Sequence, residues 1–167
     1  MRRTEAIVLK KNDFSENDQL LVLYSKDFGK IKILGRGTKK ITSKLNPHLD
    51  IFSHTWVSFV EGERNFILTD SQEIRIFHSL KKNSFKIQAA FGIVHLIDRL
   101  IPEPEEDANI WELLQNTLRA INENQEFDLI KTIVNKFEAE LLNMLGYGFQ
   151  DNSRDFIRDN FSGIIIE

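Results

Sequence analysis

Residues 20–34 read LLVLYSKDFGKIKIL, and this stretch decides the fold of the first half of the chain. Residues 20–24 are apolar and partly branched, which is typical of a short buried strand. Gly29 then opens a second run in which the residue type alternates. Lys30, Lys32 and Leu34 share one face of this run, and Ile31 and Ile33 share the other. The stretch therefore predicts two short strands, the second with a basic outer face.

Three further segments of the first half have β-type patterns. Residues 4–9 alternate and are rich in branched side chains, and residues 50–60 and 65–77 form two longer runs. Glu61-Gly62-Glu63-Arg64 separates the longer runs and is a candidate for a tight turn. Five strands joined by glycine-bearing turns within about 75 residues predict a small closed or sandwiched β-domain.

The second half has helical periodicity instead. Residues 85–101 are apolar nearly all round, which predicts a central buried helix that ends before Pro102-Glu103-Pro104. Asp107 is a candidate N-cap for the next helix, and residues 130–145 keep one apolar stripe up to Gly146, a C-terminal stop. Residues 153–161 predict one more short helix. The sequence thus predicts an α+β protein with segregated halves, a β-domain at 1–80 and a helical domain at 81–167.

Composition excludes several classes of protein. The 167 residues are 41% hydrophobic and 28% charged, which is ordinary for a globular chain and argues against wholesale disorder. No run approaches the roughly 18 apolar residues of a membrane span, and the first residues lack a signal-peptide core, so we expect an intracellular protein without a membrane partner. The absence of cysteine excludes disulfides, thiolate catalysis and cysteine-ligated zinc.

The net charge of −3 conceals a division between the halves. Residues 1–82 carry a net charge of +5 and residues 83–167 a net charge of −8. Residues 26–44 alone contain seven basic residues and one acid. A basic strand face followed by a basic loop can follow a phosphate backbone without reading sequence, so we favour nucleic-acid binding over a merely solvated face. The nearby Phe14, Tyr24 and Phe28 could stack on bases, but a role in the core is favoured for each of them.

Signals of catalysis are absent. The chain has no phosphate-binding glycine loop with its lysine, and Gly35-Arg36-Gly37 lacks the rest of a dinucleotide fingerprint. His48 and His54 are about 20 Å apart if the residues between them form a strand, too far to share a metal. The carboxylates of residues 103–107 are expected to lie in a solvated loop. We therefore expect a binding protein with no catalytic residue, no metal and no cofactor.

The order and spacing of several motifs resemble the start of the RecO recombination-mediator proteins. The pieces are Thr4-Glu5-Ala6-Ile7-Val8-Leu9-Lys10, Asp13-Phe14-Ser15-Glu16-Asn17-Asp18, Gly29-Lys30 and Gly35-Arg36-Gly37-Thr38-Lys39-Lys40 with Ser43-Lys44-Leu45. Phe137-Glu138-Ala139-Glu140-Leu141-Leu142 and Leu145-Gly146-Tyr147 are similar to the helical-domain signature of that family. The likeness covers residues 3–150 and is strongest over the first 70.

The resemblance implies an N-terminal OB-fold joined to a helical domain. It also implies binding of single- and double-stranded DNA, annealing of complementary strands, and partnership with RecR and single-stranded-DNA-binding protein in loading RecA. A cytoplasmic, nucleoid-associated bacterial protein is expected. Carried over by position, the expected DNA contacts are Lys10, Lys11, Lys30, Lys32, Arg36, Lys39, Lys40 and Lys44. Glu16, Asn17 and Asp18 also match a family motif, and we interpret them as turn structure.

The sequence departs from the family pattern after Tyr147. Many RecO proteins insert a Cys-rich zinc module there and continue well beyond it, whereas this chain has no cysteine and 20 further residues. We expect a short form without that module. Two other functions stay open: a protein-interaction adaptor that acts through an apolar groove of the helical half, and an OB-fold factor that binds RNA.

Overall fold

A computed structural model describes residues 1–161, so the end of the predicted helical domain, residues 162–167, lies outside the described residues. Five strands form a closed barrel in the order β1-β2-β3-β5-β4. The strands are β1 (Arg2–Asp13), β2 (Gln19–Ser25), β3 (Gly29–Gly35), β4 (His54–Glu61) and β5 (Phe66–Arg75), with a 3₁₀ turn at Asn46–His48 between β3 and β4. With helices following the barrel, the predicted α+β fold with an N-terminal OB-fold is confirmed.

Long antiparallel ladders build most of the barrel, and one short parallel contact closes it. Strand β1 pairs with β2 through its second half and with β4 through its first half. Strands β2 and β3 pair along their whole length. The closing contact joins β3 to β5 through two residue pairs, Ile33 with Phe66 and Leu34 with Ile67. The turn was predicted at residues 61–64; in the structure residues 62–65 join β4 to β5, with the Gly62 N–H donating to the Asn65 carbonyl at 3.0 Å.

A bulge in β1 explains why the fourth strand begins later than predicted. The register of β1 shifts between Val8 and Lys10. At this point the Phe52 N–H donates to the Val8 carbonyl at 2.9 Å, and the Val8 N–H donates to the Ser53 carbonyl at 3.2 Å. Phe52 has a left-handed φ of 71°, which ends any extended run. The predicted strand was therefore wrong over residues 50–53, where Ile51 and Phe52 are apolar but the backbone turns to contact β1 at Val8 instead of forming a strand.

The barrel core has the alternation that the sequence predicts. Ile31 and Ile33 face inward, while Lys32 between them is exposed. The buried members of the core are Ala6, Val8, Leu21, Leu23, Ile31, Ile33, Leu49, Val57, Phe59 and Leu68. Phe28 packs edge-on against Phe59 with ring centroids 5.6 Å apart, and Tyr24 is fully buried. The predicted core roles of Phe28 and Tyr24 are thus confirmed, whereas that of Phe14, which is 54% exposed, was wrong.

The second half is helical, as predicted. Its helices are α1 (His78–Lys81), α2 (Ser84–Leu100), α3 (Ala108–Glu123), α4 (Phe127–Met144) and α5 (Ser153–Asn160). The short α1 was not predicted. Gly146 ends α4, with its N–H donating to the Asn143 carbonyl at 3.1 Å. Among the helices of residues 1–161, none combines the length and the hydropathy that crossing a bilayer requires.

A buried lysine links three helices of the second half. Lys86 on α2 is fully buried, and its Nζ donates to Ser79 Oγ at 2.9 Å and to the Asn122 carbonyl at 3.0 Å. The Asn122 side chain in turn accepts the Leu80 N–H at 3.0 Å. Burial lowers the pKa of Lys86, because desolvation disfavours the ammonium. The cation also lies near the last carbonyls of α3, where the helix dipole favours positive charge.

The chain divides into two compact units. The barrel unit comprises Met1–Ile76 and Ile101–Asp107, and the helical unit comprises Phe77–Leu100 and the chain from Ala108 onward. Residues 101–107, which we call the acidic segment, thus follow α2 in the chain but belong to the barrel unit. The division into 1–80 and 81–167 stays a prediction.

Candidate nucleic-acid interface

One end of the barrel gathers the end of β1, the start of β2 and the end of β3. Asp13 pairs with Gln19, and Gln19 pairs with Gly35, so these three residues lie side by side across three strands. The β1–β2 turn and the basic loop after β3 therefore leave the barrel from the same end. Neighbouring strands are about 4.8 Å apart, which brings the two loops into contact.

The basic loop is held against the β1–β2 turn by hydrogen bonds. The Gly37 N–H donates to the Asp18 carboxylate at 2.7 Å, and the Lys39 N–H donates to the Asn17 carbonyl at 3.0 Å. Thr38 is fully buried and donates to the Gly35 carbonyl at 3.1 Å. The start of the loop thus has a defined position on the barrel.

Asp18 makes the central contact between the β1–β2 turn and the basic loop. The Gly37 N–H is the main cause that lowers the pKa of Asp18, and Ser15, Arg36 and Lys40 lower it further against the opposing effect of burial. The Phe14 and Ser15 N–H groups donate to the Asp18 carbonyl, which agrees with the predicted turn. The anchoring of the loop was not predicted, because 19 positions separate Asp18 from Gly37 and no local pattern joins them.

Six of the eight predicted contacts belong to the end of β1 or to the basic loop that leaves the barrel beside it. We call these six side chains the basic end: Lys10, Lys11, Arg36, Lys39, Lys40 and Lys44. Lys39 Nζ lies 3.0 Å from Asp13 Oδ2, and Lys11 Nζ donates to Asn46 Oδ1 at 3.3 Å. The other four are exposed and have no carboxylate within 4.0 Å among residues 1–161. Exposed cations without ion-pair partners can exchange their counterions for phosphate oxygens.

The remaining two predicted contacts, both on β3, are placed differently. Lys30 is buried, with 6% of its surface exposed, and has contacts of its own. Lys32 is exposed, and its Nζ lies 2.8 Å from Glu103 Oε1. Lys10 and Lys32 both pair with Val22 of the strand between them, so they are about 10 Å apart on the outer face. Lys32 thus borders the basic end, whereas Lys30 does not belong to its surface.

Apolar side chains also emerge beside these cations. Phe14 is 54% exposed in the β1–β2 turn, and Ile41 is fully exposed in the basic loop. An exposed aromatic ring next to cations is the combination with which sequence-independent sites stack single-stranded bases. Sequence reasoning favoured the core for Phe14, because hydrophobicity alone does not distinguish a buried ring from one held at the surface of a turn.

The histidines do not assemble a metal centre. His54 is buried, and its Nε2 lies 2.9 Å from the Glu5 carboxylate, so it is a partnered interior residue. Within residues 1–161, no three histidines, aspartates or glutamates are grouped so that they could hold a metal ion.

Two family models match the chain, one for each half. The model described as Recombination protein O N terminal matches residues 1–77, and that described as Recombination protein O C terminal matches residues 82–153. The chain belongs to the RecO family. The boundary between the two matches falls between β5 and α2.

Proteins named DNA repair protein RecO are similar to this chain over most of its length. The protein from Roseiflexus sp. (strain RS-1) is 33% identical over 145 residues, which are 87% of this chain and 50% of that protein. Those from Listeria monocytogenes serotype 4a (strain HCC23) and Geobacter metallireducens are 27% and 28% identical, with 56% and 58% of their lengths covered. This RecO-family chain spans about half the length of the curated relatives it matches.

Proposed function

We propose that this chain is a non-enzymatic DNA-binding mediator of recombinational repair. The observation that carries the proposal is the basic end, six cations that belong to the end of β1 and to the basic loop whose start is held at the same end of the barrel. The RecO relatives supply the biological setting, since their names state DNA repair. We assign the binding of single- and double-stranded DNA to the barrel and its basic loop.

The proposed mechanism is neutralisation of phosphate charge. Two complementary strands repel each other through their backbones, and a compact group of cations that contacts both backbones lowers this repulsion. Pairing of the bases can then proceed, so the chain anneals strands without any covalent step. Phe14 stacks on an unpaired base and holds the single strand before pairing.

The proposal includes protein partners. By its membership of the family, we infer that the chain acts with RecR and single-stranded-DNA-binding protein, and so assists loading of RecA. The acidic helical half, with its net charge of −8, is repelled by DNA and is therefore the half available for protein contacts.

The experiment is a fluorescence-anisotropy titration of labelled single-stranded DNA at several salt concentrations, with double-stranded DNA and RNA of matched sequence beside it. If all six cations contact phosphates, the slope of log K against log salt is about −4, and affinity falls roughly 300-fold between 50 and 200 mM salt. Absence of binding at low salt contradicts the proposal. A clear preference for RNA favours the RNA-binding alternative.

A charge-reversal variant locates the site. Lys39, Lys40 and Lys44 changed to Glu should weaken binding more than about 100-fold at 0.1 M salt for every sequence alike, since each phosphate contact contributes roughly fivefold there. The matched control changes three exposed cations of the helical unit, Lys82, Arg99 and Lys136, to Glu. Equal losses in the two variants would show that net charge, rather than the basic end, governs binding.

A groove in the helical unit favours a second function, capture of a partner peptide. It lies between α2 and α4, with Phe85 and Phe127 at one end and Glu138 with Arg154 at the other. Glu138 is 6% exposed, and Arg154 donates to its Oε1 at 3.2 Å, while its Oε2 has no hydrogen-bond partner among residues 1–161. Burial raises the pKa of Glu138. A peptide with an apolar side chain and an N–H donor for Oε2 suits this groove; absence of DNA binding at low salt would make this the main function.

A further inference from the structure

The acidic segment lies on the outer face of the barrel where β2 and β3 meet. Its first residue, Ile101, is buried, and Glu103 Oε1 lies 2.8 Å from Lys32 Nζ. Sequence reasoning placed these carboxylates in a solvated loop, and residues 102–106 are indeed exposed. Their position beside β3 depends on contacts between residues about 70 positions apart, which no local pattern reveals.

The backbone of the acidic segment lies close to the start of β3. A Cβ added to Gly29 would lie 2.0 Å from the Glu105 carbonyl oxygen and 2.6 Å from the Glu106 nitrogen. Only a glycine leaves room for a backbone this near, and Gly29 also has a left-handed φ of +61°. Beside it, burial and then the charge of Asp107 raise the pKa of Tyr24 to about 12, which agrees with a dense group of carboxylates at this place.

The segment has the charge pattern of a short polyanion. Glu103, Glu105, Glu106 and Asp107 provide four carboxylates within five residues. The Glu103 carboxylate oxygen occupies the position at Lys32 that a phosphate oxygen would take, since 2.8 Å is the distance of a charge-assisted hydrogen bond with either group. Lys32 is also the cation that borders the basic end, through the Lys10–Val22–Lys32 row.

We propose that the acidic segment competes with nucleic acid for Lys32, so that the binding surface of the free chain stops at the basic end. A bound strand displaces Glu103 and extends along β3. The inference rests on the proposed function, and it assigns to Glu103 the role of an internal competitor.

The competition is weak enough to be reversible. The side chains of Lys32 and Glu103 are 48% and 35% exposed, and ion pairs with such exposure stabilise a protein only slightly. Removing the competitor should therefore strengthen binding about two- to fivefold. Lys32 then contributes one phosphate contact, which steepens the salt dependence by about 0.7.

The test is a double-mutant cycle measured by anisotropy with single-stranded DNA. Glu103→Gln should raise affinity two- to fivefold and steepen the salt slope. Lys32→Gln should change wild-type affinity less than twofold, because the ion pair with Glu103 that is lost on binding offsets the phosphate contact that Lys32 gains, but it should abolish the gain in the Glu103→Gln background. The control is Glu63→Gln, which removes an exposed carboxylate of the β4–β5 turn and corrects for the change in net charge.

The outcomes separate this inference from the proposed function. If Lys32→Gln weakens wild-type binding as much as it weakens the Glu103→Gln variant, Lys32 is open to DNA in the free chain and the competition does not exist. A gain for Glu103→Gln no larger than that for Glu63→Gln overturns it equally. If the wild-type chain binds no DNA at low salt, the proposed function fails and the inference fails with it.

Discussion

Replacement of Gly29 by alanine tests the contact between the acidic segment and β3. The new methyl carbon would lie 2.0 Å from the Glu105 carbonyl oxygen, whereas real Cβ atoms essentially never approach within 3.0 Å of another heavy atom. The neighbouring atoms are backbone, so a side-chain rotation cannot relieve the clash. Either the segment retreats by at least 1.0 Å or the start of β3 moves.

Three contributions set the size of the effect. A left-handed φ costs an alanine about 1–2 kcal/mol, and forcing a methyl into a filled space costs about 1–3 kcal/mol. The lower entropy of the unfolded alanine chain returns about 0.4–1 kcal/mol. We therefore expect Gly29→Ala to lower the free energy of unfolding by about 3 kcal/mol.

Gly37 in the same barrel unit provides the matched control. Its φ of +65° is nearly that of Gly29, but a Cβ there would lie 3.7 Å from the nearest atom, Lys40 Cδ, which is ordinary contact. Gly37→Ala thus has the backbone strain without the clash, and it should cost about 1 kcal/mol. The assay is urea denaturation, with the loss taken from the midpoint at an unchanged m-value. Equal losses for the two variants would refute the close approach of residues 105–106 to β3.

Two further predictions concern the buried lysine and the exposed phenylalanine. Because burial lowers the pKa of Lys86, this lysine binds more protons in the unfolded chain than in the folded one as the pH approaches its ordinary pKa near 10.4, so Lys86 contributes a rise in the free energy of unfolding from pH 7 to pH 9.5. Lys86→Met should reduce this rise in urea denaturation at the two pH values, and an identical rise in both proteins would contradict the assignment. Phe14→Ala should weaken the binding of single-stranded DNA by about 1–3 kcal/mol. It should leave the binding of duplex DNA unchanged, because paired bases are already stacked. Phe149→Ala, which removes a 73% exposed ring of the helical unit, is its control; similar losses in anisotropy titrations would argue against stacking at Phe14.

Local periodicity was enough to predict the strands and the long helices. On β3 the alternation of lysine and isoleucine predicts which side chains face the core, and Ile31 and Ile33 are indeed buried in the barrel core. The same signal failed at residues 50–53. Ile51 and Phe52 are apolar there, but Phe52 has a left-handed φ and the backbone is not extended. The hydrophobicity of a residue favours the burial of its side chain, but it does not predict whether its backbone is extended.

The candidate site was predictable only as far as its residues are close in the sequence. The six residues of the basic end were predictable because each belongs either to the end of one strand or to one loop. The anchor between Asp18 and Gly37, and the ion pair between Lys32 and Glu103, join residues 19 and 71 positions apart. Such contacts depend on barrel closure and on the return of the chain after α2, and a single sequence has no local signature for either.

The closure of the barrel has a consequence for the chain while it is being made. Strand β3 gains its outer neighbour only when residues 66–67 arrive, about 30 positions after its own. Until then β1, β2 and β3 form a meander whose last strand has an unpaired edge, and such an edge can pair with another unfinished chain. Charged side chains on an edge strand oppose that pairing, and Lys30 and Lys32 alternate with isoleucine there. We therefore expect Lys30 and Lys32 to oppose such pairing while the barrel is incomplete, whatever the finished barrel binds.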